Sequence, residues 1–147
     1  MRKIALDVGD KRIGVAVSDE LLIAARGVMT LERVGIRKDT GKIVDLIDEY
    51  QCDTVVIGLP KHLDGTDNPQ TAKVYEFKRI LEDKLRSAGK EQIGVVFQDE
   101  RFTTVIAERV LIEADVRRDK RKKVIDKQAA VLILQGYIDR LAYARKE

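Results

Sequence analysis

Three acidic residues far apart in the chain, Asp7, Glu100 and Asp126, have the types and positions to form one site. Asp7 interrupts an alternating strand pattern of Ile4, Leu6 and Val8, and shares the opposite face with Ala5. Gly14, Ala16 and Ser18 line the matching face of the next apolar stretch. A carboxylate in mid-strand is costly unless a cation or water compensates it. Small neighbours let a ligand approach the backbone closely. Three carboxylates converging in one crevice suit hard divalent cations, Mg²⁺ or Mn²⁺. Two such cations ~3.5–4 Å apart activate water and stabilise the leaving oxygen in phosphodiester cleavage. Taken singly, each acid has a plainer role: Asp7 on a solvated sheet face, Glu100 paired with Arg101, Asp126 as a helix cap. Asp99 lies one register step from Glu100 and is the alternative inward residue.

Convergence requires a particular set of elements. Lys3 to Asp19 reads as two strands joined by a tight polar turn, and Arg26 to Arg33 as a third strand with Val28 alternating with Thr30. Ile43, Val44, Ile47 and Tyr50 mark a helical face between Thr40 and Gln51. Thr54 to Leu59 is a nearly continuous apolar run, as in a strand covered on both faces. Asn68-Pro69 suits the start of a helix that carries Val74, Phe77, Leu81 and Leu85 and ends at Gly89. Ile93 to Gln98 is a further strand. Thr103 or Thr104 caps a helix running to about Ala114, and a last helix starts near Asp126. Short turns make the first three strands an antiparallel meander, and helical crossovers make the later strands parallel. The expected architecture is α/β: a mixed five-stranded sheet with helices on both faces. Its central first strand carries Asp7. Glu100 falls at the end of the last strand, where open α/β sheets place their ligand crevice. Asp126 lies four and seven residues before Ala130 and Ile133 on the apolar stripe of the last helix.

Cations flank these acids. Lys11 and Arg12 occupy the turn after Asp7, placed to meet phosphates. Arg117, Arg118, Lys120, Arg121, Lys122 and Lys123 form a basic segment just before Asp126, broken only by Asp119. Such adjacency points to nucleic-acid contact. His62, the only histidine, lies in the loop after the fourth strand and can relay a proton there or simply be solvated. The chain has 147 residues, 44% of them hydrophobic, which suits a single domain spanning residues 1–147 with a full core. Net charge is +3, a weak pointer to anionic partners. Cys52 is the only cysteine, so an intrachain disulfide and a cysteine zinc cluster are excluded. No apolar run reaches signal-peptide or membrane-spanning length, and the expected location is the cytoplasm. Four Tyr, three Phe and no Trp argue against a base-stacking platform for single strands.

Four motifs taken together, DVGDKRIGVAVSD at 7–19, GLP at 58–60, DERFTT at 99–104 and DKQAAVLILQGYID at 126–139, resemble the YqgF family, also called RuvX. The resemblance covers essentially the whole chain in order. It implies an RNase H-like fold and a nuclease that matures the 5′ end of the 16S ribosomal RNA precursor, with precursor particles as partners. It also implies Asp7, Glu100 and Asp126 as the acidic metal-binding set. An older reading of the family makes it a Holliday-junction resolvase acting on branched DNA, which would require a two-fold dimer. No heptad seam or long apolar patch advertises one, so a monomer or weak homodimer is expected. The chain departs from the broader RNase H-like pattern where Gly58-Leu59-Pro60 replaces an acid at the end of the fourth strand. Two other readings fit the same residues. The opening strand and turn resemble the phosphate loop of actin-like ATPases, whose second loop and second domain are missing here. A catalytically silent RNA-binding assembly protein would keep the basic segment without needing the acids.

Overall fold

The computed structural model describes residues 1–61, 64–99 and 118–146, with the side chains of the last helix described over 127–144. The elements are β1 (Arg2–Val8), β2 (Arg12–Ser18), β3 (Ala25–Glu32), α1 (Ile36–Tyr50), β4 (Cys52–Leu59), α2 (Pro69–Ser87), β5 (Gly94–Asp99) and α3 (Arg118–Lys146). One five-stranded sheet has the order β3-β2-β1-β4-β5. The first three strands are antiparallel neighbours, and β4 and β5 run parallel to β1. β1 is therefore central, as the alternation and connection lengths predict.

Alternation sorts side chains into two cores. On one face Ile4, Leu6, Ile13, Val15, Val17, Val55 and Ile57 meet the apolar stripes of α1 and α2. The stripes are those expected: Ile43, Val44 and Ile47 from α1, and Val74, Phe77, Leu81 and Leu85 from α2. On the other face Ala5, Ala16 and Val56 lie under Ala129, Ala130, Ile133, Leu134 and Ile138 of α3. Small residues on this second face let a single helix pack close to the sheet. Each fully buried branched or aromatic side chain contributes roughly 1.5–3 kcal/mol.

α2 starts as its sequence dictates. Asn68 Oδ1 accepts from the amides of Gln70 (2.9 Å) and Thr71 (3.1 Å), and Thr71 Oγ1 accepts from the Asn68 amide at 2.9 Å. Gly89, at φ +73°, ends it in the left-handed region. Three expectations are corrected. α1 begins at Ile36, four residues before Thr40, because Asp39 Oδ1 accepts from the Val34 amide and secures the first turn. α3 begins at Arg118 rather than near Asp126, so positions 118–123 of the basic segment are helical. Arg and Lys are good helix formers, and no Gly or Pro interrupts them. Val28 and Thr30 do not simply alternate: Val15 pairs with Met29 but Ala16 with Gly27. Val28 is thus a bulge, and both it and Met29 pack on the α1–α2 side. The helix expected between residues 103 and 114 lies outside the described residues. Among the described residues no helix is long and apolar enough to cross a membrane.

Candidate active site

Asp7 sits near the C-terminal end of β1, half-buried, on the sheet face that α3 covers. Its partner across β2 is Gly14, which in turn faces Thr30 of β3. Ala5 and Leu6 pair with Val56 and Ile57 of β4, so the next step in that register brings Asp7 beside Gly58. Gly58 pairs with Gln98 of β5. A row of Thr30, Gly14, Asp7, Gly58 and Gln98 therefore crosses the sheet, with a glycine on each side of the carboxylate. Lacking Cβ atoms, these glycines put no side chain of their own beside Asp7 on that face. The sequence shows Gly14 and the missing acid at Gly58, but only the register shows that both flank Asp7.

The turn after Asp7 is tightly held. The Gly9 amide donates to Arg12 O at 2.9 Å, and a Cβ at position 9 would lie 3.0 Å from that oxygen. Arg33 Nη1 donates to Gly9 O at 2.9 Å, and the Arg33 amide donates to Lys11 O at 2.9 Å. From α2, Lys73 and Gln70 reach the Asp10 carboxylate at 3.0 and 3.2 Å. These hydrogen bonds, that of Lys73 foremost, hold the Asp10 carboxyl below its ordinary pKa. Arg33 is itself fixed by buried Asp39, whose Oδ2 accepts from its Nε at 3.0 Å, and by the Phe77 ring beneath it. Nothing in the spacing of Arg33 and Asp39 announced this pair.

The expected site residues fare differently. Lys11 is exposed at the turn, while Arg12 is bound to Glu32 of β3, Nε to Oε1 3.1 Å. Asp99 pairs with Leu59 and shares a face with Val95 and Phe97, on the α1–α2 side. It therefore points away from the Asp7 face. Glu100, Arg101, Arg117 and His62 lie outside the described residues. Asp126 is an interior residue of α3, not its cap, one and two turns before Ala130 and Ile133 on the buried stripe. Its side chain, and those of Arg118, Arg121, Lys122 and Lys123, lie outside the described residues. Among the described residues no three His, Cys, Asp or Glu side chains are grouped to hold a metal, and Asp7 alone of the expected set is among them.

α3 crosses the sheet obliquely. Lys127 lies against Gly27 of β3, where a Cβ would come within 2.5 Å of its Cγ. Gln135 accepts from the Ala25 amide at 3.0 Å, and Arg140 Nη1 donates to buried Gln98 Oε1 at 2.8 Å. Arg140 thereby brings a cation to the Asp7 row from the far side of β4. The sequence offered no sign of this, because Arg140 follows the apolar stripe as an ordinary exposed position.

A family profile described as "RuvX: Holliday junction resolvase" matches residues 1–140. The chain is 49% identical over 139 residues to a Clostridium tetani protein named "Putative pre-16S rRNA nuclease", covering 95% of this chain and 96% of the relative. It is 51% identical over 138 residues to the Clostridioides difficile protein of the same name, covering 94% of each. Among solved structures, Thermus thermophilus RuvC in complex with a Holliday junction substrate superposes with a TM-score of 0.57 at 11% identity, over 96% of both chains. Fowlpox virus resolvase with Holliday junction DNA gives 0.53 at 12% identity, over 96% of this chain and 99% of that one. At such identities the likeness is one of fold, and that fold is the RNase H-like one expected from the sequence.

Proposed function

From the premise that this chain belongs to the RuvX family, we infer that it is a nuclease hydrolysing phosphodiester bonds in structured RNA. Its substrate is the precursor of 16S rRNA, cleaved towards the 5′ end in the cytoplasm, with precursor particles as its setting and a monomer or weak homodimer as its form. The observation that carries this reading is identity of 49% and 51%, across nearly all of both chains, to relatives bearing the pre-16S rRNA nuclease name.

Asp7 fits the chemistry. A carboxylate on a central strand, with a glycine at each neighbouring position of the row, offers hard oxygen ligands that suit a divalent cation. In this reading Asp7, Glu100 and Asp126 hold Mg²⁺ or Mn²⁺, which when bound supplies an activated water and stabilises the leaving oxygen. Asp7 acts by being immobile, since the hydrogen bonds to Gly9, Asp10 and Lys11 brace the turn that follows it. Lys11 meets the phosphate backbone at the mouth, with Arg12 available on exchange of its Glu32 partner. Arg117, Arg118, Arg121, Lys122 and Lys123 attract the RNA towards the crevice. Positions 118, 121 and 122 fall on one side of α3, so helix formation gathers charge that the sequence only strings together.

The test is to incubate the purified protein with a pre-16S fragment and with a four-way DNA junction, with and without Mg²⁺ or Mn²⁺. Metal-dependent cleavage of the RNA alone is expected. Junction cleavage without RNA cleavage would transfer the activity to branched DNA. RNA binding without cleavage under any metal would leave a silent assembly protein. Glu100→Gln should lower turnover by at least ~10²-fold, the scale of one lost transition-state stabilising group. Its RNA affinity should stay within a few-fold of the unaltered protein.

A further inference from the structure

The sheet face opposite Asp7 carries its own concentration of positive charge. α1 and α2 run side by side there, and an open groove of about 810 Å³ lies between their outer surfaces. Arg37, Lys38 and Lys42 line it from α1, and Arg79 and Lys84 from α2. Two acids, Asp45 and Asp83, share the lining. The groove follows residues 37 to 45 of α1, about 12 Å of helix.

Pairing distinguishes four of these cations from those elsewhere on α2 and just beyond it. Elsewhere on α2, charge is cancelled locally: Lys78 pairs with Glu82, and Arg86 with Asp83. Lys73 is bound to Asp10, and beyond the helix Lys90 is bound to Asp48. Arg79 pairs with Glu76 and Asp83 at the groove's rim. By contrast, among the described residues Arg37, Lys38, Lys42 and Lys84 have no acid within ion-pair distance. All four are exposed. Like charges facing one another across a groove repel, and an anion between them removes that cost. Gly41 keeps the floor low, because even a Cβ there would touch only the Lys84 side chain, at 3.5 Å. Exposed large hydrophobic residues do not line this groove, which disfavours a lipid surface or an apolar helix as its occupant.

We propose that the α1–α2 groove is a second contact for the RNA phosphate backbone, separate from the Asp7 crevice and on the opposite face of the sheet. The proposal rests on the nuclease reading for its choice of polyanion. Two rows of cations suit a linear anion lying lengthwise between them, and a phosphodiester backbone is such an anion. An RNA touching both faces must pass around the edge of the sheet, so only a long, folded substrate can occupy both. The groove thereby favours structured precursors over short fragments.

Binding to the pre-16S fragment and to a short hairpin is measured across a KCl series, without metal so that neither is cut. Replacing Lys38, Lys42 and Lys84 with Gln should lower the log–log salt slope for the long RNA by about 2–3 and its affinity at least tenfold. The hairpin's affinity should change less than about twofold. Lys42→Glu with Lys84→Glu should weaken the long RNA further, and melting curves should match the unaltered protein in both variants. An unchanged slope for the long RNA, when the unaltered protein binds it, overturns the groove as an RNA contact and leaves the nuclease reading intact. An equal loss for hairpin and long RNA overturns the separateness of the two contacts. Failure of the unaltered protein to bind either RNA overturns both readings together.

Discussion

Asp7 owes its position to backbone features on three strands. Its neighbours in the row are Gly14 and, one register step on, Gly58, and the turn that follows it is clamped by Arg33. If the carboxylate holds a cation, Mg²⁺ or Mn²⁺ should raise the melting temperature, by mass action equivalent to about 2.7 kcal/mol at a hundredfold excess over Kd. Asp7→Asn should abolish that rise while keeping or increasing stability without metal, since repulsion among the acids is relieved. An undiminished metal response in the variant would remove Asp7 from the site. Arg33 makes a different argument at the same scale. Its side chain is 19% exposed, and the Asp39 side chain it meets is wholly buried. Arg33→Met would leave that carboxylate desolvated without its cation, which costs about 2–4 kcal/mol in a urea titration, the loss being strongest where one partner stays buried. A loss below 0.5 kcal/mol would mean that the Val34 amide alone satisfies Asp39. Asp7 was legible in the sequence because it breaks an alternating pattern. Arg33 and Asp39 were not, because a buried ion pair leaves no periodic trace.

At the scale of elements, legibility followed the strength of local punctuation. Asn68-Pro69 and Gly89 bound α2 where the residue types require. The starts of α1 and α3 were misplaced because charged residues with good helix propensity precede the apolar stripe in both. The bulge at Val28 depends on pairing with β2, which no single-strand pattern reveals. Two substitutions weigh these local effects. Asn68→Ala removes the acceptor for two amides and should cost about 1 kcal/mol. Gly41→Ala should stabilise by up to about 1 kcal/mol, because glycine is a poor interior helix residue and the new methyl meets only the Lys84 side chain at 3.5 Å. Chemical denaturation reads both. A destabilised Gly41→Ala would show that the helices approach one another more closely there than the 3.5 Å contact allows.

For the whole molecule, the sequence conveyed sheet order and the covering of both faces, because connection lengths and apolar periods govern them. It conveyed only half of the site: the row beside Asp7, Asp99 facing away and Arg140 reaching Gln98 all depend on register between distant strands. Titration tests the assembled fold from two directions. On the acid side Asp10, Asp19 and Asp53 all lie below their ordinary pKa of 3.8. Lys73 lowers the first, and backbone amides of Ala24 and Ile23 the second. Burial pushes Asp53 up, but hydrogen bonds from Lys3 and Thr54 outweigh it. Their contribution is present above pH 3.8 and fades as pH falls through the lowered values. On the alkaline side Cys52 is 1% exposed, and burial pushes its thiol from 9.0 up to about 11. A raised pKa stabilises the fold below the unfolded value, and that stability is lost as pH rises from 9 to 11. The full loss is at most about 2–3 kcal/mol, from 1.36 kcal/mol per pH unit. Cys52→Ala should be less stable at pH 7 because it opens a small cavity, yet its stability should fall less steeply between pH 9 and 11. Lysines and tyrosines titrate in both proteins, so the difference between the two curves isolates the thiol. Parallel curves through that interval would mean that Cys52 ionises without opening the junction of β1 and β4.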